Sequence, residues 1–213
     1  MNKGKYIIVS GCSFTSAYDS RFDPDIYNFT HWPEILAAKS GKHVINLAKS
    51  GMGNEYIYTT LVDQICKMDP ADIYAVIPAW SESQRQCWSE IGEWYSRIRP
   101  TNGDMLFHIN KSLLYYHSLQ TICNSMNINC LQLQMLDIHR SSKYMPDIKP
   151  NYYQAIHSTA IIDQIDLSKF MNPPWDSLSN QFLEEPVNKM AEQDWHPNLR
   201  GHLKIAGYVY DKL

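Results

Sequence analysis

Short runs of apolar residues recur along the chain, and segments with helical spacing separate them. The four apolar runs are Lys5–Ser10, His43–Leu47, Ile73–Pro78 and Ile128–Leu136. The segments with the spacing of helices are Trp32–Ser40, Glu55–Lys67, Asp104–Met126 and Asn198–Leu213. Unbroken apolarity is typical of strands that are buried on both faces, and strands that alternate with helices usually pair in parallel. The sequence therefore predicts an α/β fold in which helices cover both faces of a mainly parallel sheet.

The size and composition of the chain are those of one globular domain. Its 213 residues and its apolar content of 44% are sufficient for one hydrophobic core, so we expect a single domain over residues 1–213. The apolar pattern weakens between residues 137 and 193, where five of the 11 prolines lie. Connections of this length are often lids or binding loops. Residues 137–193 are therefore predicted to form an irregular insertion or lid.

Charge and cysteine patterns argue against several classes of protein. Lys and Arg total 19 and Asp and Glu total 22, a net charge of −3, whereas nucleic-acid binders need a basic face. No apolar run reaches the roughly 18 residues of a membrane span, and no secretory signal is recognisable. The five cysteines are scattered without a C-x-x-C pair, so we expect neither a disulfide framework nor a zinc site. A cytoplasmic location is favoured, and the sequence does not indicate an oligomeric state.

Three loops with polar or small residues follow the first three predicted strands. They contain Ser13, Gly51–Asn54 and Trp80–Arg85. The carboxyl ends of parallel strands lie at one edge of a sheet, and ligands bind there. We therefore expect these loops to meet in space although they are distant in sequence.

Ser13 and His196 are the residues best suited to chemistry. A serine hydroxyl barely ionises at neutral pH and needs a base, which His196 could provide while Asp194 orients its imidazole. Each residue also has an ordinary explanation, since Ser13 can belong to a turn and Asp194 can cap the last helix. The Gly51–Asn54 loop offers open backbone amides and the Asn54 side chain to an oxyanion, although its composition is also that of a common turn.

Taken together, three segments resemble the SGNH hydrolases, also called the GDSL esterase/lipase family. They are Gly11-Cys12-Ser13, the Asn-Leu-Ala-Lys-Ser-Gly segment at Asn46–Gly51, and Asp194-Trp195-His196-Pro197. The resemblance implies a flavodoxin-like three-layer α/β/α sandwich that hydrolyses esters. It also implies that no metal or organic cofactor takes part.

By position in these motifs, the resemblance assigns a role to each candidate residue. Ser13 would be the nucleophile, His196 the base and Asp194 the acid that orients it. The backbone amides of Ser13 and Gly51 would form the oxyanion hole. Cys12 is an alternative nucleophile, but only one of two neighbours in a tight turn can face the crevice, and the family match favours Ser13.

The chain departs from the family pattern in its third motif, where an asparagine normally enters the oxyanion hole. Here the strand runs into Trp80–Arg85 without an asparagine. We expect Asn54 to replace this donor, with Ser81 as the next candidate. Arg85 would either hold an anionic substrate group or anchor its loop to a carboxylate. The candidate substrate contacts are Trp80, Ser81, Arg85 and Trp195, the last at the rim of the cleft.

These features predict a serine esterase that acts on a small acyl ester, for example an acetyl ester, of a polar or saccharide alcohol. The alternative is a binding or assembly protein with the same fold and little or no turnover, because the third motif is altered and Asp194 stands two rather than three residues before His196. A nucleotide-binding domain is disfavoured, since no phosphate-cradling glycine loop follows the first strand.

Overall fold

Helices and strands alternate along most of the chain. The computed structural model describes residues 4–17, 29–97, 102–138, 152–183, 185–191 and 194–213. Within these ranges the strands are β1 (Tyr6–Ser10), β2 (His43–Asn46), β3 (Ile73–Trp80), β4 (Gln86–Glu90), β5 (Glu93–Arg97) and β6 (Leu133–Gln134). The α-helices are α1 (Trp32–Ser40), α2 (Asn54–Cys66), α3 (Met105–Ser125), α4 (Tyr152–His157), α5 (Leu178–Leu183) and α6 (Leu199–Tyr210). The bounds of α1, α2, α3 and α6 agree closely with those of the predicted helices, and the bounds of β1, β2 and β3 agree with those of the first three predicted strands.

Four parallel strands form the central sheet in the order β2-β1-β3-β6. Ile8 of β1 lies opposite Ile45 of β2 on one side and Val76 of β3 on the other. Because β1 is an inner strand, the loops that follow β2 and β3 lie on either side of the loop that follows β1. The predicted convergence of these three loops is therefore built into the strand order.

Side chains of β1 alternate between two hydrophobic cores, one on each face of the sheet. Ile8 belongs to the core that α2 and α3 cover, where Leu61 and Leu113 are buried. Ile7 belongs to the other core, which α1 and α6 cover through residues that include Leu36. The fold is therefore a three-layer α/β/α sandwich with a mainly parallel sheet, as the sequence predicted.

Local signals define the two helices that border the site. Pro33 lies in the first turn of α1, and Gly41 ends this helix with a φ of 65°. This left-handed conformation is one that glycine adopts without steric cost. Asn198 caps α6, because its side chain accepts a hydrogen bond from the Gly201 N–H at 3.0 Å.

The segment after β3 contains an antiparallel hairpin that the sequence analysis did not predict. In this hairpin β4 pairs with β5, and Ile91 and Gly92 form the connecting turn with φ values of 50° and 81°. Two consecutive positive φ values are those of a type I′ turn, which matches the twist of a hairpin. Trp94 of β5 packs edge-on against Tyr56 of α2 at 5.2 Å between ring centroids, so the hairpin is anchored to the body of the protein.

Residues 152–171 are packed against the edge of the sheet and against α3, whereas residues 178–183 and 186–188 lie against α6. Gln132 donates its N–H to the Lys169 carbonyl at 2.7 Å, and Met171 donates its N–H to the Gln132 carbonyl at 2.8 Å. Residues 169–171 thus line the outer edge of the predicted strand Ile128–Leu136, which forms the short β6 and isolated bridges at Cys130 and Gln132. Residues 139–151 of the predicted insertion lie outside the described residues.

Among the described helices, none combines the length and the apolar character needed to cross a lipid bilayer.

Candidate active site

The turn after β1 exposes Ser13 and buries its neighbour Cys12. The N–H groups of Thr15 and Ser16 both donate to the Cys12 carbonyl at 2.9 Å, which closes the turn. Gly11 is required here, because a Cβ atom at this position would lie 2.5 Å from the Thr15 hydroxyl oxygen. The result is a half-buried serine at the carboxyl edge of the central strand.

Cys12 cannot act as the nucleophile in this arrangement. Its side chain is fully buried. Burial raises the pKa of the Cys12 thiol, and the thiolate is the reactive form of cysteine. Of the two neighbours, only Ser13 is therefore available to a substrate.

Ser13, His196 and Asp194 form one chain of hydrogen bonds. His196 Nε2 lies 2.9 Å from Ser13 Oγ, and His196 Nδ1 lies 2.6 Å from Asp194 Oδ1. An ionised carboxylate only accepts hydrogen bonds, so Nδ1 carries the ring hydrogen and Nε2 is free to accept the Ser13 hydroxyl hydrogen. A serine, an imidazole and a carboxylate in this order can serve as nucleophile, base and orienting acid.

The local geometry explains how Asp194 reaches the imidazole from only two residues away. Asp194 Oδ1 also accepts the backbone N–H of His196 at 3.1 Å, so the carboxylate folds back over its own loop. The Phe14 ring lies against the imidazole with 4.9 Å between centroids. The imidazole and the carboxylate are each 31% exposed, which leaves the site open to solvent. Sequence reasoning did not foresee the contact with Phe14, although this residue directly follows the predicted nucleophile.

His202, the other histidine of this region, has a packing role. It is fully buried on α6, and its Nδ1 accepts the backbone N–H of Trp32 at 3.2 Å. Burial lowers the pKa of His202 to about 3, and the nearby His31 and His196 act in the same direction. His202 is therefore neutral and connects α6 to the start of α1.

The loop after β2 lies beside the Ser13 turn, as predicted. Asn46 donates its side-chain N–H to the Thr15 carbonyl at 3.1 Å, and Lys49 donates its backbone N–H to the Gly11 carbonyl at 3.1 Å. Gly51 has a φ of 81°, a left-handed conformation that favours glycine. Neither the Ser13 N–H nor the Gly51 N–H donates a hydrogen bond to another described residue. Their role in an oxyanion hole stays a prediction.

Asn54 is engaged in the protein interior and does not serve as the expected oxyanion donor. Its side-chain amide donates to the Ser81 carbonyl at 3.2 Å and to the Ser112 hydroxyl at 3.0 Å. Its carbonyl oxygen accepts the Ser81 N–H at 2.8 Å. With both amide hydrogens used and only 1% of its surface exposed, Asn54 joins the end of β3 to α2 and α3.

Burial removes three of the four candidate substrate contacts. Trp80 and Ser81 are fully buried, and the Trp80 indole N–H donates to the Gln132 side chain at 2.6 Å. Arg85 is also buried and pairs with Glu82 at 3.1 Å. The expectation that Arg85 anchors its loop to a carboxylate is thus the one that the structure shows. The burial of Ser81 also argues against it as a substitute oxyanion donor.

Trp195 is the remaining candidate contact, and it is 44% exposed. It stands between Asp194 and His196 in the chain, and the Lys189 ammonium group lies 4.3 Å from the centre of its ring. An exposed aromatic ring can stack on a substrate. Its role in substrate binding stays a prediction.

A groove of about 420 Å³ lies near the start of α6. It is lined by Phe29, Met190, Asn198, Leu199, Arg200 and Leu203. None of the three hydrogen-bonded residues Ser13, His196 and Asp194 lines this groove.

Among the described residues, no group of three or more His, Cys, Asp or Glu side chains is placed to hold a metal ion.

Comparisons with known proteins agree with this fold. No protein-family model and no curated protein matches the sequence. Esterase EstA from Pseudoalteromonas sp. is 15% identical with a TM-score of 0.57, and the match covers 98% of this chain and 96% of that one. Acetyl xylan esterase AlAXEase is 16% identical with a TM-score of 0.57, over 98% and 99% of the two chains. A Desulfitobacterium hafniense structure named for the G-D-S-L family of lipolytic proteins is 14% identical with a TM-score of 0.53, over 99% and 100%. The chain therefore has the fold of the SGNH/GDSL esterases, which confirms the resemblance of its motifs at the level of fold.

Proposed function

We propose that this protein is a serine esterase that hydrolyses a small acyl ester through an acyl-enzyme intermediate. One observation carries the proposal, namely the hydrogen-bonded chain from Ser13 through His196 to Asp194 at 2.9 and 2.6 Å. A serine hydroxyl, an imidazole and a carboxylate in this order are the groups that activate a nucleophile at neutral pH. The likeness to solved esterase structures supports the same class of reaction.

In the acylation step, Ser13 Oγ attacks the ester carbonyl carbon while His196 Nε2 accepts the hydroxyl proton. The carbonyl oxygen becomes an oxyanion, and the N–H groups of Ser13 and Gly51 donate hydrogen bonds to it. His196 then gives its proton to the leaving alcohol oxygen as the carbon–oxygen bond breaks. The acyl group remains on Ser13, and Asp194 stabilises the imidazolium while it exists.

Deacylation repeats these steps with water in place of the alcohol. His196 accepts a proton from water, and the hydroxide attacks the carbonyl carbon of the acyl-serine. The same two backbone N–H groups hold the second oxyanion. When the bond to Ser13 Oγ breaks, His196 returns the proton to the serine, and the carboxylic acid leaves.

We propose a small acyl group, of acetyl size, on a polar or saccharide alcohol as the substrate. Trp195, which precedes His196 in the chain, is exposed, and a flat aromatic ring is a surface on which sugar rings stack. The similar structure AlAXEase is named as an acetyl xylan esterase, which supports the same choice.

Turnover of p-nitrophenyl acetate by the wild type, Ser13→Ala and His196→Ala tests the reaction. We expect each substitution to reduce kcat by about 10³-fold or more. A comparison of p-nitrophenyl acetate with the octanoate, and then with acetylated xylo-oligosaccharides, tests the acyl size and the alcohol. Equal background rates in all three proteins would contradict the esterase and would favour a binding or assembly protein with this fold.

Covalent labelling gives an independent test of the nucleophile. An alkyl phosphonate ester should add one phosphonyl group to the wild type, located on Ser13 by peptide mass spectrometry. The Ser13→Ala variant should remain unlabelled. A label on Cys12 or on another residue would contradict the assignment of Ser13.

A further inference from the structure

The β4–β5 hairpin and Arg85, which directly precedes it, lie against the loop after β2. We call residues 51–53 the Gly51 loop. Met52 accepts a hydrogen bond through its carbonyl, Gly53 donates one through its N–H, and Gly51 lies beside a hairpin side chain. Met52 and Gly53 are thus held by hydrogen bonds from the same side, and Gly51, which would supply the oxyanion donor, directly precedes them.

Cys87, at the start of the hairpin, holds Gly53. The Gly53 N–H donates to Cys87 Sγ at 2.9 Å. Burial raises the pKa of Cys87 to about 11, so the sulfur remains a neutral thiol that accepts this hydrogen bond. The two backbones are in close contact, since a Cβ atom at Gly53 would lie 2.5 Å from the Arg85 carbonyl oxygen.

Arg85 holds Met52. Its Nη1 donates to the Met52 carbonyl at 3.3 Å, while its Nη2 contacts Glu82 at 3.1 Å. The Arg85 and Glu82 side chains are only 7% and 4% exposed, so the carboxylate fixes the guanidinium in place. Separating a buried ion pair is costly, so the Arg85 side chain keeps one position. Its guanidinium is therefore a fixed hydrogen-bond donor to the Met52 carbonyl.

The Ser96 side chain of β5 faces Gly51. Its Oγ lies 3.5 Å from the position that a Cβ atom of Gly51 would occupy. Gly51 and Gly53 are both glycines, and glycine has more backbone freedom than any other residue. The loop therefore depends on outside contacts for a single conformation.

We propose that Cys87 and Arg85 are positioning residues that direct the Gly51 N–H toward the oxyanion. This inference rests on the proposed esterase function. Arg85 ends the stretch that stands where the family pattern has its third motif, and it restrains the loop that carries the Gly51 N–H. Oxyanion contacts act in the transition state, so loss of this restraint lowers kcat more than it changes KM.

Cys87→Ala and Cys87→Ser form a matched pair for the test, with p-nitrophenyl acetate as the substrate. Alanine removes the acceptor of the Gly53 N–H, whereas the serine oxygen can still accept it. We expect Cys87→Ala to reduce kcat by about 10-fold with KM within about two-fold, and Cys87→Ser to recover most of the loss. Ser89→Ala, an exposed change on the same hairpin, is the control and should leave both constants unchanged.

Amide hydrogen exchange at Gly53, followed by NMR, reports on the restraint without any turnover. Exchange should be faster in Cys87→Ala than in the wild type and close to the wild type in Cys87→Ser.

Arg85→Lys keeps the positive charge opposite Glu82 but cannot reach the carboxylate and the Met52 carbonyl together. This second variant should lower kcat in the same way, even if Cys87→Ala folds poorly.

The outcomes separate this inference from the proposed function. Turnover that survives Ser13→Ala would overturn both. Turnover that depends on Ser13 but is unchanged in Cys87→Ala and Arg85→Lys would overturn the positioning role alone. An equal loss in Cys87→Ala and Cys87→Ser, with Gly53 exchange as in the wild type, would also overturn it.

Discussion

Ser13 and His196 are separated by 183 positions in the sequence, yet Ser13 Oγ and His196 Nε2 lie 2.9 Å apart. Two helices bring them together. α6 packs against α1 on one face of the sheet, and the Trp32 N–H joins the helices through His202. The loop that carries His196 immediately precedes α6, so this packing places the imidazole at the carboxyl end of β1. The site therefore exists only when this layer of the sandwich is formed.

Asp194→Asn should reduce kcat/KM for p-nitrophenyl acetate by about 10²- to 10⁴-fold. The carboxylate holds the hydrogen on His196 Nδ1, whereas an amide can donate to Nδ1 and leave Nε2 with the wrong protonation. Asp211→Asn, at the exposed C-cap of α6, is the matched control and should keep the wild-type rate. A loss of less than about three-fold in Asp194→Asn would show that this carboxylate does not orient the base.

Cys12→Ala should keep kcat within about three-fold of the wild type, while Ser13→Ala loses about 10³-fold or more. The buried Cys12 thiol fills space under the turn, so its truncation should lower the free energy of unfolding by about 1 kcal/mol. Ester hydrolysis and urea denaturation of the two variants measure these effects. If Cys12→Ala abolished turnover and Ser13→Ala kept it, the assignment of the nucleophile would be reversed.

The unfolding free energy should fall as the pH is lowered, in part because of His202. Its pKa is about 3 in the folded protein, and a histidine in the unfolded chain has a pKa of about 6.5. Below about pH 6.5 the unfolded chain binds a proton that the folded protein excludes, which costs up to about 1.4 kcal/mol per pH unit down to about pH 3. Above this range both states are neutral and the contribution of His202 is constant.

His202→Asn tests this dependence, because asparagine can accept the Trp32 N–H but does not titrate in this range. The variant should show a flatter loss of stability between about pH 6.5 and pH 4 in urea denaturation. Near pH 7.5 the two proteins should differ only by a fixed amount. Parallel curves for the wild type and the variant at every pH would mean that His202 does not contribute.

Arg85→Met should destabilise the protein by about 3 kcal/mol or more, because it removes the guanidinium that faces the buried Glu82 carboxylate. The double variant Glu82→Gln with Arg85→Met should recover part of this loss, since no unpaired charge is then buried. Urea denaturation of the two single variants and the double variant measures the coupling. Additive effects of the two substitutions would contradict a coupled ion pair.

The sequence by itself determined the order of strands and helices, because the spacing of apolar residues follows the local geometry of each element. It also predicted that Ser13, His196 and Asp194 come together, since each stands in a short motif next to the end of a predicted element, and the structure joins them by hydrogen bonds. The hairpin was missed, although Ile91-Gly92 lies between two short alternating segments and has two positive φ values. The segment was interpreted by its tryptophans rather than by its turn residues.

Only the tertiary structure decided which polar side chains face the cleft and which face the interior. Asn54, Ser81 and Arg85 follow predicted strands as Ser13 does, but Asn54 bonds to Ser81, and Arg85 bonds to Glu82 and to the Met52 carbonyl. A buried polar group must find its partners wherever the packed layers place them, and partners such as Met52 for Arg85 are distant in the chain. Local pattern therefore fixed the framework and the three residues of the hydrogen-bonded chain, while the surroundings of each candidate depended on how the layers packed.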